Sequence, residues 1–127
     1  MAKPGKTGIA RIRDAFFYSM KGFKAAWRHE AAFRQEVLLA AILTPVAFWL
    51  ASSMIELILL LASLFWVLMA ELTNSAIEAS VDRHGSEHHQ LSGRAKDIGS
   101  ALVFVSLSLM ALVWGIIAAE HLGWLVF

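Results

Sequence analysis

The sequence contains no cysteine, which excludes a disulfide framework and any metal or catalytic site built on a thiolate. Charge is scarce as well: Asp, Glu, Lys and Arg make up 17% of the 127 residues, whereas apolar residues make up 58%. A globular domain of this size could not bury that much apolar surface. Phosphate-binding loops of the forms GxxxxGK[ST] and GxGxxG are also missing, which argues against a P-loop enzyme or a soluble protein kinase.

Three apolar runs predict three membrane-spanning helices. A helix needs about 20 residues to cross about 30 Å of hydrocarbon, so the short first run, 37–51, is expected to begin within residues 31–35. The second run begins at Leu57 and continues through polar residues, and the third carries no charge at all. We therefore predict an all-α integral membrane protein, a single domain over residues 1–127 with spans at about 31–51, 57–82 and 98–119 and a loop from Gly85 to Asp97.

The segment before these spans has the pattern of an amphipathic helix. Apolar residues recur at steps of three and four, and basic residues lie between them. Packing on a soluble core is one interpretation, but this chain offers no such core. A basic helix lying on an anionic membrane surface, over residues of about 8–28, fits the pattern better.

The distribution of basic residues predicts the topology. Of the eleven Lys and Arg residues, eight precede residue 37 and the other three lie between residues 82 and 97. The positive-inside rule therefore places the N-terminus and the second loop in the cytoplasm. In the third span Ala111, Gly115 and Ala119 repeat a small residue every four positions, which is typical of close helix packing or an oligomer contact.

One face of the second span is acidic at its cytoplasmic end. Glu71, Asn74, Glu78 and Asp82 fall in a single stripe of the helix. Counted from Leu57 at 1.5 Å per residue, Glu71 lies about 21 Å and Glu78 about 31 Å along the axis. Glu71 is therefore predicted within the cytoplasmic half of the bilayer and Glu78 near its boundary.

A carboxylate inside the hydrocarbon costs at least about 2.5 kcal/mol, so this stripe is a functional-site hypothesis. For Asn74 alone, a role in helix association is the favoured interpretation. The desolvated Glu71 is suited to act as a general base, while the shallower Glu78 is suited to Mg²⁺, with Glu30 as a second ligand. The three histidines His84, His88 and His89 are expected in a solvated loop or at a phosphate, and a transition-metal site is the less favoured alternative. Nearby cations suited to phosphate are Arg11, Arg94 and Lys96.

A proton- or ion-coupled transport subunit is the main alternative of another class. Such a relay should carry polar groups through the full depth of the membrane. Before Ala70 the second span contributes only Ser63, and the third contributes only three serines. A non-catalytic assembly subunit would explain the small residues of the third span but not Glu71 together with Glu78.

The motifs ELTNSAIE from Glu71, VDR from Val81 and LSGRAKD from Leu91 resemble the signature of the bacterial diacylglycerol kinase family. KG at Lys21, AAW at Ala25 and EAAFRQE at Glu30 resemble its N-terminal segment, so the similarity covers nearly the whole chain. The sequence departs from the best-known member of the family at Met20, His88 and Gln90, and no departure removes a proposed catalytic group.

This resemblance implies a homotrimer in the bacterial inner membrane that uses MgATP to phosphorylate diacylglycerol to phosphatidic acid, with active sites shared between neighbouring subunits. No nucleic-acid partner is implied. Catalysis would fall to Glu71 as the base, supported by Asn74, and Mg²⁺ would be held by Glu30 and Glu78. The implied ATP contacts are Arg11, Tyr18, Glu30, Glu78, Glu87, His88, His89, Lys96 and Asp97. The implied lipid contacts are Arg11, Lys24, Trp27, Arg34, Gln35, Glu36, Trp49, Glu71, Ser100 and Trp114.

A sister branch of the family phosphorylates undecaprenol and remains the alternative within the resemblance. The stretches Gly85-Ser-Glu87 and Leu91-Ser-Gly-Arg94 favour the diacylglycerol branch. Asp82 completes the acidic stripe without an assigned role.

Overall fold

The computed structural model describes residues 5–85, 87 and 89–126, and these residues form four helices and no strand. The helices are α1 (Gly8–His29), α2 (Ala31–Leu50), α3 (Met54–Asp82) and α4 (Gln90–His121). Three of them, α2, α3 and α4, are long and apolar enough to cross a membrane. The predicted fold class, an all-α membrane protein with three spans, is confirmed.

Helix α1 has the predicted amphipathic character. Its apolar side chains, among them Ile12, Phe16 and Phe23, are exposed in the single chain, as a helix lying on a membrane requires. At its start Lys6 donates a 2.7 Å hydrogen bond to Asp14, which ties the preceding segment to the helix. This bond holds the pKa of Asp14 below its ordinary value.

The breaks between helices follow from local chemistry. Glu30 has extended backbone angles, φ −115° and ψ 106°, so it ends α1 and begins α2. Ser53 is the N-cap of α3 and accepts a hydrogen bond from the Glu56 backbone N–H, while the Glu56 carboxylate accepts one from the Ser52 N–H. The first bond satisfies a donor that the first turn of the helix leaves free, and the second ties the preceding residue to that turn. Helix α2 runs through Pro45 without ending.

Helix α4 begins earlier than the sequence suggests. The polar segment 90–97, predicted as part of a loop, is the first part of the helix. His89 provides the N-cap, because its Nδ1 accepts a hydrogen bond from the Leu91 backbone N–H. Hydropathy marks only the part of a helix that lies in hydrocarbon, so a polar extension into water leaves no signal in it.

Helix α3 is the central element and packs against both α4 and α2. Toward the end of the bundle far from the acidic stripe, a core forms around Ala47, Leu50, Leu60 and Ile117. In the middle, the Trp114 indole N–H donates to the Ser63 hydroxyl at 3.0 Å, linking α4 to α3. Most other large apolar side chains face outward, as expected where lipid or another subunit replaces water.

Candidate active site

The acidic stripe of α3 runs from the buried interior to the surface. Glu71 is 5% exposed, Asn74 and Glu78 are half-buried, and Asp82 is exposed. Successive members of the stripe are three or four residues apart, close to one helical turn, so the stripe covers about 16 Å of the axis. Burial within the protein therefore decreases from Glu71 to Asp82, and the depth of these residues in the membrane stays a prediction.

Three further carboxylates lie within electrostatic range of Glu71. Those of Glu30, Glu36 and Glu78 all lie near enough to interact with it electrostatically. The break at Glu30 makes this possible, because it brings the end of α1 and the start of α2 beside α3. A cavity of about 370 Å³ separates α1 from α3 there, and Glu30 borders it together with Ser75. The structure thus brings together residues that are far apart in the sequence.

These four carboxylates lack a direct ionic partner among the described residues, although Lys96 lies near enough to Glu78 to interact with it electrostatically. Within the part of the chain that the structure describes, Glu30, Glu36, Glu71 and Glu78 take part in no ion pair. Arg34, the basic residue between Glu30 and Glu36, donates instead to the backbone carbonyls of Trp27 at 2.7 Å and Arg28 at 3.4 Å. Carboxylates crowded together at low dielectric repel one another, so the group is suited to bind a cation.

Asn74 connects the stripe to α4. Its side-chain amide donates to Glu78 Oε1 at 3.3 Å, while its Oδ1 is buried and has no hydrogen-bond partner among the described residues. That oxygen faces Gly99 of α4, which is itself buried. Sequence reasoning overlooked Gly99, although an isolated glycine inside a long apolar helix is a signal of close packing.

Asp82, the outermost member of the stripe, forms an ion pair with Lys96 at 2.6 Å. The pair borders a cavity of about 250 Å³ that is also lined by Glu87 and His89. Three of the predicted ATP contacts, Glu87, His89 and Lys96, therefore lie around one space at the end of α3. Asp82 lies about 6 Å along the axis from Glu78, so this space adjoins the carboxylates. His88 lies outside the described residues.

Other predicted residues lie apart from this group in the single chain. Arg11, Tyr18 and Lys24 lie on the exposed surface of α1, where no hydrogen bond or ion pair in the described part of the chain joins them to α3. Trp27, Gln35, Asp97 and Ser100 are also exposed.

Trp49 and Trp114 lie farther toward the other end of the bundle. The Trp49 ring lies 5.0 Å from that of His121, and Trp114 bonds Ser63. Trp49 is thirteen residues along α2 from Glu36, which corresponds to about 20 Å. A lipid that contacts both tryptophans and Glu71 would therefore extend along the spans.

Among the described residues, the site geometry offers a buried carboxylate, further carboxylates outside any ion pair, and a lysine beside a cavity. Within the described residues, no three His, Cys, Asp or Glu side chains lie close enough together to hold a metal ion by themselves. Two carboxylates that leave other positions to phosphate and water are what Mg²⁺ requires at a nucleotide site. The donor set therefore fits a magnesium–nucleotide complex.

Comparison with known proteins identifies the family of this chain. The family model described as prokaryotic diacylglycerol kinase matches residues 17–118. A protein of Escherichia coli K12 named diacylglycerol kinase is 48% identical over 117 residues, which are 92% of this chain and 96% of that protein. Proteins of the same name from Haemophilus influenzae and Pseudomonas aeruginosa are 49% and 52% identical, over 86% and 89% of this chain and 92% of each relative. The chain therefore belongs to the prokaryotic diacylglycerol kinase family.

Proposed function

We propose that this chain transfers the γ-phosphate of ATP to the hydroxyl of diacylglycerol, giving phosphatidic acid, at the cytoplasmic boundary of the membrane. The observation that carries the proposal is the grouping of the buried Glu71 with Glu30, Glu36 and Glu78, next to the cavity that Lys96 borders. Diacylglycerol carries its hydroxyl at the interface and ATP stays in water. The reaction therefore needs a base just inside the membrane and phosphate-binding groups just outside it.

In the proposed reaction Glu71 takes the proton of the lipid hydroxyl. The oxygen so activated attacks the γ-phosphorus, the bond between that phosphorus and the bridging oxygen breaks, and ADP leaves with the electron pair. Lys96 offers its ammonium group to the phosphates from the edge of the cavity, and Asp82 holds that group in place. Positioning and charge neutralisation provide most of the rate acceleration in such transfers.

Glu30 and Glu78 are the proposed Mg²⁺ ligands. Both are half-buried and without an ion-pair partner in the described chain, and they belong to different elements, so they can approach a cation from two sides. When bound, Mg²⁺ neutralises charge on the β- and γ-phosphates. Asn74 occupies one oxygen of Glu78 and leaves the other oxygen available.

The reaction class can be tested on the purified protein in mixed micelles. We expect ADP to form from ATP when a short-chain diacylglycerol is present, and not in its absence or after chelation of Mg²⁺. ADP formation at the same rate with and without diacylglycerol would contradict the proposal. A transport subunit should instead move ions across proteoliposomes without consuming ATP.

The structure offers no support for the transport alternative. The hydroxyls of Ser63, Ser106 and Ser108 donate to backbone carbonyls of their own helices. Hydroxyls engaged in this way do not link Glu71 to the opposite end of the bundle. In the described part of the chain, the carboxylates and the lysine proposed to take part in the reaction lie at one end of the bundle, around Glu71, Glu78 and Lys96.

We place this end in the cytoplasm, with the chain in the bacterial inner membrane. The proposal rests on the basic residues of the N-terminal segment and of the connection before α4. A chain without cysteine allows each side to be probed by one introduced thiol. In spheroplasts, S52C should react with a membrane-impermeant maleimide, whereas T7C should react only after permeabilisation. The reverse pattern would contradict this orientation.

We also propose the homotrimer that the family resemblance implies. Ala111 and Gly115 are exposed in the single chain, so the small-residue face of α4 is available for a second copy. Light scattering in detergent, corrected for bound detergent, should give the mass of three chains. A monomer mass with full activity would exclude the trimer as the active form.

A further inference from the structure

Gly99 has a closer neighbour than any other glycine of the described chain. A Cβ built there would meet Asn74 Oδ1 at a distance that real Cβ atoms do not adopt, with Asn74 Cγ at 3.3 Å and Ile77 Cδ1 at 3.8 Å. At the other described glycines a Cβ would meet nothing within 4 Å. Glycine is a poorer helix former than alanine, so the helix itself gains nothing from Gly99. The reason for this glycine lies in its neighbour.

The orientation of the Asn74 amide is fixed by what each end can do. Its NH₂ group donates to Glu78 Oε1 at 3.3 Å, and an ionised carboxylate can only accept. The amide oxygen must then point the other way, toward α4, where it is buried and no group in the described part of the chain donates to it. Only a position that lacks a side chain leaves room for it.

We propose that Gly99 is a positioning residue for the metal-binding carboxylate. Its bare backbone surface accommodates the Asn74 oxygen, which keeps the Asn74 amide on Glu78 and holds the free oxygen of Glu78 in place. A methyl group at position 99 forces the amide to rotate and to release Glu78. The inference rests on the proposed role of Glu78 as a Mg²⁺ ligand.

The contact differs from ordinary helix packing in one respect. The atom that a Cβ would strike is the end of an asparagine side chain, which can rotate without separating α3 from α4. The effect of a methyl group should therefore fall on the hydrogen bond to Glu78 and not on the assembly of the bundle. Loss of a group that orients a metal ligand typically weakens metal binding by about 10- to 100-fold.

The test is G99A in the full chain, with Mn²⁺ as a paramagnetic probe in place of Mg²⁺. In the presence of a non-hydrolysable ATP analogue, we expect Mn²⁺ binding measured by electron paramagnetic resonance to weaken about tenfold or more. The Mg²⁺ concentration for half-maximal activity should rise by the same factor, while KM for diacylglycerol and the unfolding temperature stay near the wild-type values. S108A, which removes from the same helix a hydroxyl that donates only to the Phe104 backbone carbonyl, should bind Mn²⁺ like the wild type.

A double-variant cycle shows whether the effect passes through Asn74. N74A removes the amide, so adding G99A to it should weaken Mn²⁺ binding no further. A further loss equal to that seen in the wild type would overturn the proposal, as would wild-type Mn²⁺ binding by G99A alone. A G99A chain that does not fold would overturn it too, because the contact would then serve helix packing.

The E78A variant separates this inference from the proposed function. If E78A loses Mn²⁺ and G99A does not, Glu78 is a ligand and only the positioning role of Gly99 fails. If E78A binds Mn²⁺ like the wild type, the ligand role itself fails and the positioning role falls with it.

Discussion

Replacement of Glu71 by glutamine should reduce kcat by at least about 100-fold, the lower end of what a general base contributes. Glutamine keeps the size of the side chain and its ability to accept a hydrogen bond, but it cannot take the proton of the lipid hydroxyl. Because Glu71 lies deeper than the proposed metal ligands, KM for ATP should change by less than about threefold. The measurement is steady-state turnover in mixed micelles, with nucleotide binding followed separately by equilibrium dialysis.

E56Q is the matched control for this prediction. It makes the same substitution on the same helix, but Glu56 lies at the opposite end of α3, where it accepts a hydrogen bond from the Ser52 backbone. Some loss of helix-cap stability is expected, and turnover of the folded protein should not change. Near-normal turnover by E71Q would show that another group acts as the base.

Replacement of Glu78 by alanine should weaken Mg²⁺ binding and should not affect the proton transfer to Glu71. We expect the Mg²⁺ concentration for half-maximal activity to rise by about tenfold or more, since even residues outside the metal ligands often have effects of that size. Asn74 loses its hydrogen-bond acceptor as well, which leaves both ends of a half-buried amide without a partner. Excess Mg²⁺ should therefore restore only part of the activity.

The Mg²⁺ titration of E78A needs a control variant that lacks a carboxylate elsewhere in the chain. E120A removes an exposed carboxylate at the far end of α4 and should give the Mg²⁺ titration of the wild type. A titration for E78A that superimposes on that of the wild type would exclude Glu78 as a ligand. If activity fell without a change in metal dependence, Glu78 would have to act in another way.

Much of the fold could be predicted because hydrophobic burial leaves a direct record in the sequence. The uncharged run 98–119 identifies the core of α4, and the spacing of Ile12, Phe16 and Phe23 identifies α1. The start of α4 at Gln90 was wrongly assigned to a loop. It depends on a hydrogen bond from Leu91 to the His89 ring, and a histidine cap carries no clear signal in a polar segment.

The residues that α3 contributes to the site could also be predicted from the sequence. Carboxylates in a membrane-spanning helix cost free energy, so they are kept mainly where they have a function. The helical period alone aligns Glu71, Asn74 and Glu78 on one face. The pairing of Asp82 with Lys96 could not be derived in this way, because it depends on the register between α3 and α4. The approach of Asn74 to Gly99 depends on the same register.

The identity of the lipid acceptor tests the account most directly. Equal mole fractions of diacylglycerol and undecaprenol are placed in the same micelles with MgATP labelled at the γ-phosphate, and the labelled products are separated. We predict that phosphatidic acid takes up nearly all the label and that E71Q produces neither lipid product. Label found mainly in undecaprenyl phosphate, or in no lipid at all, would contradict the account.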